Sequence, residues 1–250
     1  MVLPQDFLAL PVAHRGLHGP GIPENSLAAA QAAIDAGYAI ELDIQPAKGG
    51  EAMVFHDYDL RRLTGAEGLV AALDPSALSG LRLLGTDQPV PTLRQFLDLV
   101  DGRVPLLIEI KDQDMGLGPR IGRLHERVAD VLQGYGGPVA VMSFNPHVVQ
   151  AFHRIAPHVP VGLTTCGYDE DDWPGIPEDR RSHLAGINDF NESGSCFVSH
   201  DKRDLANPRL DALKAQGVPI LCWTIRSPEE EALARRVADN VTFEGYPAPF

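Results

Sequence analysis

Short apolar runs alternate with helical patterns along most of the chain. The runs are rich in valine, isoleucine and leucine, and most are followed by apolar residues at helical spacing. Eight runs have this character: 12–16, 39–45, 105–111, 139–144, 160–165, 196–200, 219–225 and 240–245. Eight strand–helix repeats in 250 residues predict an α/β protein whose parallel strands form a (β/α)8 barrel. An open doubly wound sheet is the alternative, although no GxGxxG motif follows the first run.

The stretches between the runs begin and end with residues that usually bound helices. Asn25 and Thr92 are candidate N-caps, and the helical patterns that follow them end near Gly37 and Gly102. Four more helices are expected within 118–136, 145–157, 207–217 and 227–240. An irregular stretch rich in leucine, glycine and proline occupies 58–92. We therefore expect residues 1–250 to form one barrel domain with a small insertion at about 58–92, after the second strand.

One further apolar run, MVFHD at 53–57, follows the second strand after only seven residues, PAKGGEA. Parallel neighbours need a crossover of a dozen or more residues, so these two strands are predicted to be antiparallel. The Gly49–Gly50 pair is a natural hairpin turn. A hairpin folded between these glycines places Asp43 opposite His56, with Glu41 on the same face as Asp43. Two carboxylates and an imidazole are thus expected to converge.

The composition narrows the classes of partner. With 21 basic and 34 acidic residues, the chain has a formal net charge of −13, which disfavours nucleic acid and anionic membranes as partners. The three cysteines are widely spaced and indicate neither a disulfide framework nor a metal-binding ribbon. The N-terminal stretch lacks the features of a signal peptide, and no apolar run reaches the roughly 18 residues that span a bilayer. We expect a soluble cytoplasmic protein without integral membrane association.

Charged residues inside two apolar strands are the strongest chemical signal. Glu41 and Asp43 lie within AIELDIQ, and Glu109 and Lys111 lie within PLLIEIK. A buried carboxylate costs several kcal/mol unless it is paired or binds a metal. Three carboxylates at strand ends favour a hard divalent cation, Mg²⁺ or Ca²⁺. An ion pair with Lys111 is the structural alternative, but one lysine does not neutralise three acids.

Two histidines and an arginine accompany these acids. His14 and His56 end predicted strands and are candidates for acid and base catalysis. Arg15 and Lys111 are candidates for binding an anion, Arg15 through its bidentate fork. Glu24 is placed to orient Arg15, whereas Asn25 is a candidate N-cap. Trp223, at the end of its strand, is either a core residue or the wall of a substrate pocket.

Taken together, these motifs resemble the glycerophosphodiester phosphodiesterase family. In chain order they are HRG at 14–16, PEN at 23–25, ELD at 41–43, HD at 56–57, LRRLTG at 60–65, EIK at 109–111, SFNP at 143–146 and WT at 223–224. Each motif is weak alone, but the ordered set spans nearly the whole chain. The sequence departs from the family in Gly49, where an Asp is usual in the hairpin turn, and in TFEGYP, where the last strand usually carries TDxP.

The resemblance implies a fold, a cofactor and a set of roles. It implies a (β/α)8 barrel with a small insertion after the HD strand, and one divalent cation, Mg²⁺ or Ca²⁺. The metal ligands would be Glu41, Asp43 and Glu109. The acid and base would be His14 and His56, and the residues that bind phosphate or substrate would be Arg15, Lys111 and Trp223.

Several functions are compatible with these residues. The leading hypothesis is metal-dependent hydrolysis of small glycerophosphodiesters to glycerol phosphate and an alcohol. A second is hydrolysis of lysophospholipids or other alkyl phosphodiesters. A non-catalytic phosphodiester-binding barrel would require an altered metal set or a missing histidine, and neither is seen. A sugar isomerase would share the carboxylates and histidines but would not need Arg15 and Lys111 around a phosphate.

Overall fold

The computed structural model describes residues 1–250, which form nine strands and ten helices. The strands are β1 Val12–Ala13, β2 Ala39–Pro46, β3 Ala52–Val54, β4 Leu106–Ile110, β5 Val139–Ser143, β6 Val161–Thr165, β7 Phe197–Asp201, β8 Ile220–Ile225 and β9 Asn240–Phe243. The helices are α1 Asp6–Ala9, α2 Leu27–Ala36, α3 Arg61–Thr64, α4 Pro75–Gly80, α5 Leu93–Val100, α6 Leu124–Leu132, α7 Pro146–Ile155, α8 Glu178–Ala185, α9 Pro208–Lys214 and α10 Pro228–Ala234. Each predicted apolar run contains one strand. Eight strands are parallel and alternate with helices, which confirms the prediction of a (β/α)8 barrel.

The chain consists of two compact units. The N-terminal unit comprises Val12–Lys111 and Gly122–Val139, and the C-terminal unit comprises Met1–Pro11, Asp112–Ile121 and Ala140–Phe250. In the N-terminal unit, β2 pairs in parallel with both β1 and β4. In the C-terminal unit, β5, β6, β7 and β8 each pair in parallel with the strand that follows. The single-domain boundary 1–250 and the insertion stay predictions.

The hairpin of β2 and β3 is antiparallel, but its predicted register was wrong by one residue. Ile44 pairs with Val54, so the residue opposite Asp43 is Phe55 rather than His56. The reason lies in the turn, which centres on Gly49 and not between the two glycines, since Ala47 N–H donates to Glu51 O at 2.8 Å. A shift of one residue reverses the face of every following side chain. Because β3 ends at Val54, the direction of His56 depends on contacts beyond the strand.

Residues 58–92 pack with the β2–β3 hairpin region around a small apolar core. Eight of its buried side chains are Met53, Phe55, Leu60, Leu63, Val70, Leu78, Leu83 and Val90. Burial of each such side chain stabilises the fold by about 1.5–3 kcal/mol relative to exposure. This core fixes α3 next to the end of β3. The positions of the polar residues that follow β3 depend on this packing.

Helix α2 begins one residue later than predicted. Its N-cap is Ser26, whose hydroxyl accepts from Ala29 N–H, and not Asn25. Gly37 ends the helix in the left-handed conformation, as expected for a C-cap glycine. Thr92 does cap α5 and forms a capping box with Gln95. None of the ten helices has the length and apolar character needed to cross a bilayer.

Candidate active site

Three carboxylates converge on one face of β2 and β4 in the N-terminal unit. Asp43 and Glu109 are register partners on neighbouring strands, and Glu41 lies two residues before Asp43 on the same face. Their ligand atoms lie within 4.8 Å of one another. The three residues are only 2%, 1% and 6% exposed, in chain order. Burial of like charges this close together requires a neutralising partner.

Lys111 supplies part of that neutralisation. Its Nζ lies 2.7 Å from Asp43 Oδ1 and 2.6 Å from Glu109 Oε1. Burial would lower the pKa of Lys111, but Asp43 and Glu109 raise it, so the ammonium stays charged. For Asp43 the signs are reversed: burial would raise the pKa of this carboxyl, but Lys111, His56 and Arg15 lower it well below its usual range.

Glu41 remains incompletely neutralised. Burial raises its pKa well above the usual range, and the charges of Asp43 and Glu109 raise it further. Arg15 and Lys111 lower the pKa only in part, so this carboxyl favours its proton unless further positive charge arrives. An all-oxygen set with surplus negative charge fits a hard divalent cation such as Mg²⁺ or Ca²⁺.

The segment after β1 brings His14 and Arg15 to these acids. His14 Nε2 lies 4.0 Å from Glu41 Oε2, and the same oxygen accepts from Arg15 N–H at 3.0 Å. Gly16 makes this approach possible, since it has φ +79° and a Cβ there would lie 2.8 Å from Ala29 Cβ. The HRG motif therefore combines two polar side chains with a residue that lets the chain pack against α2.

Arg15 and Asn25 both have left-handed backbone conformations, with φ of +56° and +54°. Such conformations cost of order 1–3 kcal/mol for residues other than glycine and cluster at functional sites. Asn25 N–H donates to Arg15 O at 2.9 Å, which holds the two strained residues together. The Asn25 amide also donates to Asp43 Oδ2 at 2.8 Å, so this side chain orients a carboxylate instead of capping a helix.

The Arg15 guanidinium lies between two acids. Its Nη1 donates to Glu24 Oε1 at 2.7 Å, as expected from the sequence, and its Nε lies 3.3 Å from Asp43 Oδ2. The Nε is buried and forms no hydrogen bond. A charged donor held in this way can bind an anionic ligand.

His56 follows β3 and is fixed by its neighbour. Its Nδ1 lies 2.7 Å from Asp57 Oδ1. An ionised carboxylate only accepts hydrogen bonds, so Nδ1 is the donor and Nε2 is the nitrogen free to exchange a proton. Burial would raise the pKa of Asp57, but hydrogen bonds from His56 and Arg62 lower it well below its usual range, which keeps it ionised.

The predicted substrate-contacting Trp223 belongs to the C-terminal unit, near the end of β8. Its indole N–H donates to Ser199 O at 3.0 Å, and its ring packs edge-on against Phe144 at 5.6 Å between centroids. Trp173 and Tyr168 continue this aromatic cluster. Trp223 is partly exposed, in contrast to most residues of its strand.

Known proteins resemble this chain in sequence and in fold. The sequence profile of the Glycerophosphoryl diester phosphodiesterase family matches residues 14–241, which is most of the chain. The chain belongs to this family.

A glycerophosphodiester phosphodiesterase of Caldanaerobacter subterraneus subsp. tengcongensis is 33% identical over 174 residues, which cover 64% of this chain and 69% of the relative. The phosphodiesterase of Oleispira antarctica, solved in complex with the product sn-glycerol-3-phosphate, has a TM-score of 0.77 at 21% identity and covers 97% of this chain and 96% of that one. The glycerophosphodiester phosphodiesterase of Thermotoga maritima has a TM-score of 0.72 at 22% identity, covering 94% of each chain. The two solved structures agree with the barrel fold, and the family makes this protein a phosphodiester hydrolase.

Two polar residues of this phosphodiesterase were not predicted as site residues. Asp57 and Arg62 lie within the HD and LRRLTG motifs that carry the family resemblance. Arg62 donates to Glu24 and to Asp57 at 2.7–2.8 Å. The motif was a signal for Arg62, but its partner Glu24 lies 38 residues away, so local patterns could not assign that contact.

Proposed function

We propose that this phosphodiesterase hydrolyses small glycerophosphodiesters to glycerol phosphate and an alcohol, with one divalent cation and with His14 and His56 as acid and base. The observation that carries the proposal is the buried cluster of Glu41, Asp43 and Glu109, with His14 beside it. The family match and the product bound by the Oleispira antarctica relative support the substrate class.

The proposed metal ligands are the three clustered carboxylates. Their close spacing, their burial and the raised pKa of Glu41 all fit a site that lacks positive charge. Mg²⁺ or Ca²⁺ bound there would stabilise the negative charge that develops on the phosphoryl oxygens. Lys111 holds Asp43 and Glu109 in position and contributes a further charge near the phosphate.

The two histidines would exchange protons with the substrate. In the route that we favour, the 2-hydroxyl of the glycerol attacks phosphorus and passes its proton to one histidine. The bond from phosphorus to the head-group oxygen breaks, and that oxygen takes a proton from the other histidine. Water then opens the cyclic phosphate with the histidine roles reversed. Attack by a bound neighbouring hydroxyl has a large proximity advantage over attack from solution.

Arg15, Lys111 and Trp223 are the proposed substrate-binding residues. Arg15 has a buried N–H without a hydrogen bond, which suits it to a phosphoryl oxygen. Donors of this kind stabilise charge most when they are held in place before the reaction. The partly exposed ring of Trp223 is suited to pack against the apolar edge of glycerol or its head group.

Product analysis tests this function. The protein is incubated with glycerophosphocholine in a chelator, in Mg²⁺ and in Ca²⁺, and with lysophosphatidylcholine in parallel. We expect glycerol phosphate and choline from the first substrate in one of the two metals and no reaction in chelator. Binding without turnover in every condition would indicate a non-catalytic barrel, and faster turnover of the lysolipid would change the substrate class.

The cyclic route has its own test. Glycerophosphocholine is compared with the analogue that lacks the 2-hydroxyl. The proposed attack predicts a loss of several orders of magnitude in kcat, with binding of the analogue retained. Equal turnover of the two compounds would instead indicate direct attack by water.

We also expect the protein to act in the cytoplasm as one domain, with residues 58–92 as an insertion in the barrel. Three cysteines without disulfides suit a reducing compartment. Fractionation of the native host cells tests the location.

A further inference from the structure

Arg62 lies outside the residues assigned to the metal, the proton transfers or the phosphate. It nevertheless forms four hydrogen bonds to two acidic residues. Its guanidinium donates twice to Glu24, at 2.8 Å each, and twice to Asp57, at 2.7 and 2.8 Å. Both are bidentate contacts, a geometry that the planar guanidinium provides and a lysine does not.

The Asp57 contact leads to His56. The carboxylate that accepts from Arg62 also accepts from His56 Nδ1 at 2.7 Å. Without Arg62, Asp57 is free to turn away or to take other donors, and the ring of His56 loses its fixed orientation and tautomer. A carboxylate that accepts from one ring nitrogen of a histidine fixes the tautomer and the orientation of the ring, and the other nitrogen is left to react.

The Glu24 contact leads to Arg15. Glu24 Oε1 accepts from Arg15 Nη1 at 2.7 Å and from Arg62 Nη2 at 2.8 Å. The guanidinium of Arg62 therefore fixes the acid that orients the proposed phosphate-binding arginine. Arg62 therefore links two arms of the site. One arm runs through Asp57 to His56, and the other runs through Glu24 to Arg15.

Arg62 is itself held by the packing of its short helix. The flanking residues Leu60 and Leu63 are buried in the apolar core of residues 58–92, and Thr64 Oγ1 donates to Leu60 O at 2.7 Å. Neighbouring Arg61 lies outside this network and is more exposed than Arg62, whose side chain is 47% exposed. The Arg61 side chain is 74% exposed, and its guanidinium contacts Glu67 at 3.1 Å.

We infer that Arg62 is a positioning residue that couples the two arms of the site, orienting His56 through Asp57 and Arg15 through Glu24. It touches no reacting atom. The inference rests on the proposed function, because it assigns Arg62 an effect on both proton transfer and phosphate binding.

Kinetic parameters with glycerophosphocholine separate the two arms. We expect Arg62→Gln to lower kcat and raise KM, with a combined loss in kcat/KM of roughly 10- to 100-fold, as for other residues that support a site side chain. Asp57→Asn should mainly lower kcat, and Glu24→Gln should mainly raise KM. Arg62→Lys keeps the charge but not the two forks, so it should fail to restore either parameter.

Arg61→Gln is the matched control, since it removes an arginine from the same helix without touching the network. It should keep kcat and KM within about twofold of the wild type, because exposed ion pairs contribute little. Equal losses in Arg61→Gln and Arg62→Gln would mean that the helix, and not the network, matters. Wild-type kinetics in Arg62→Gln would overturn the inference.

A spectroscopic measurement keeps the inference independent of the substrate. Nitrogen-15 NMR of labelled histidine, with the His56 signals assigned by the His56→Ala variant, reports which ring nitrogen carries the proton. We expect the Nδ1–H tautomer in the wild type and in Arg61→Gln, and a mixture in Arg62→Gln. Unchanged tautomers in Arg62→Gln would reject the His56 arm. A wild type that turns over no glycerophosphodiester, with the expected tautomer shift, would instead reject only the proposed function.

Discussion

Buried acids occur in both units of the molecule, but they are satisfied in different ways. In the C-terminal unit two of them each accept from an arginine: Asp201 from Arg203 at 2.7 Å, and Glu231 from Arg235 at 2.6 Å. In the N-terminal unit, Glu41, Asp43 and Glu109 lie within 4.8 Å of one another, and Lys111 contacts only Asp43 and Glu109. The same residue type serves the fold where its charge is balanced and is available to a ligand where its charge is in excess.

The largest effect is expected from a change in the carboxylate cluster that leaves the arginine-paired acids of the C-terminal unit intact. Asp43→Asn removes the acid that contacts Lys111, Arg15 and Asn25. We expect a loss of divalent-cation affinity and activity beyond the roughly 10- to 100-fold typical of a residue that only supports a ligand. Calorimetric titration with Mg²⁺ and Ca²⁺ measures it. Asp201→Asn is the control and should retain the wild-type affinity.

The histidines give the next largest effect. His14→Ala and His56→Ala should each lower kcat by about 10²–10⁴-fold, the usual contribution of a general acid or base. Both variants should still bind the metal, which separates catalysis from ligand binding. His183 pairs with Asp189 at 2.9 Å in the C-terminal unit, so His183→Ala should leave kcat unchanged. Near-normal kcat in either site variant would make that histidine structural.

Glu41→Gln sharpens the comparison because its expected effect on stability is favourable. The folded pKa of Glu41 is raised, so its stabilising contribution is fully present below the unfolded value of 4.5 and is lost as pH rises through the folded pKa. At neutral pH and without metal, the free energy of unfolding of the variant should therefore be about 1–4 kcal/mol higher than that of the wild type. Urea unfolding in chelator at pH 7 and pH 4 measures this, and the gain should shrink at pH 4.

Glu231→Gln should have the opposite sign. Its carboxylate is buried and accepts from Arg235 and from Tyr246 Oη, at 2.6 and 2.8 Å. Loss of one charged acceptor should cost roughly 1–3 kcal/mol of unfolding free energy. The same urea experiment applies, with metal affinity as the control. A stabilised Glu231→Gln would contradict the contrast between the two units.

The smallest expected effect concerns Glu24. Burial would raise its pKa, but hydrogen bonds and charge from Arg62 and Arg15 lower it to about 2 from the ordinary 4.5. A depressed carboxyl stabilises the fold above the unfolded pKa and loses that effect as pH falls through the folded pKa. Glu24→Gln should cost only on the order of 1 kcal/mol above pH 4.5, because the pair with Arg62 is screened by solvent, and this cost should be largely lost by pH 2. Urea midpoints across this range measure the difference.

Most of the barrel could be predicted because its signals are local. Each barrel strand is a short apolar run, and α2, α5, α7, α9 and α10 each begin at a capping side chain, so neighbours in sequence suffice for these elements. The acids of the site could be predicted for the same reason, since a charge inside an apolar strand is visible without knowledge of its partners. The register of the β2–β3 hairpin could not, because it depends on whether its turn centres on one glycine or between two.

The amino-acid sequence by itself determined the order of the barrel strands, the strands that carry Glu41, Asp43 and Glu109, and the family. The tertiary structure decided that Asn25 binds Asp43 while Ser26 caps α2, and that Arg62 joins Glu24 to Asp57. The physical reason is the separation in sequence over which each feature is determined. Burial patterns repeat over a few residues, whereas the Arg62–Glu24 hydrogen bond spans 38 residues and depends on the packing that brings the two segments together.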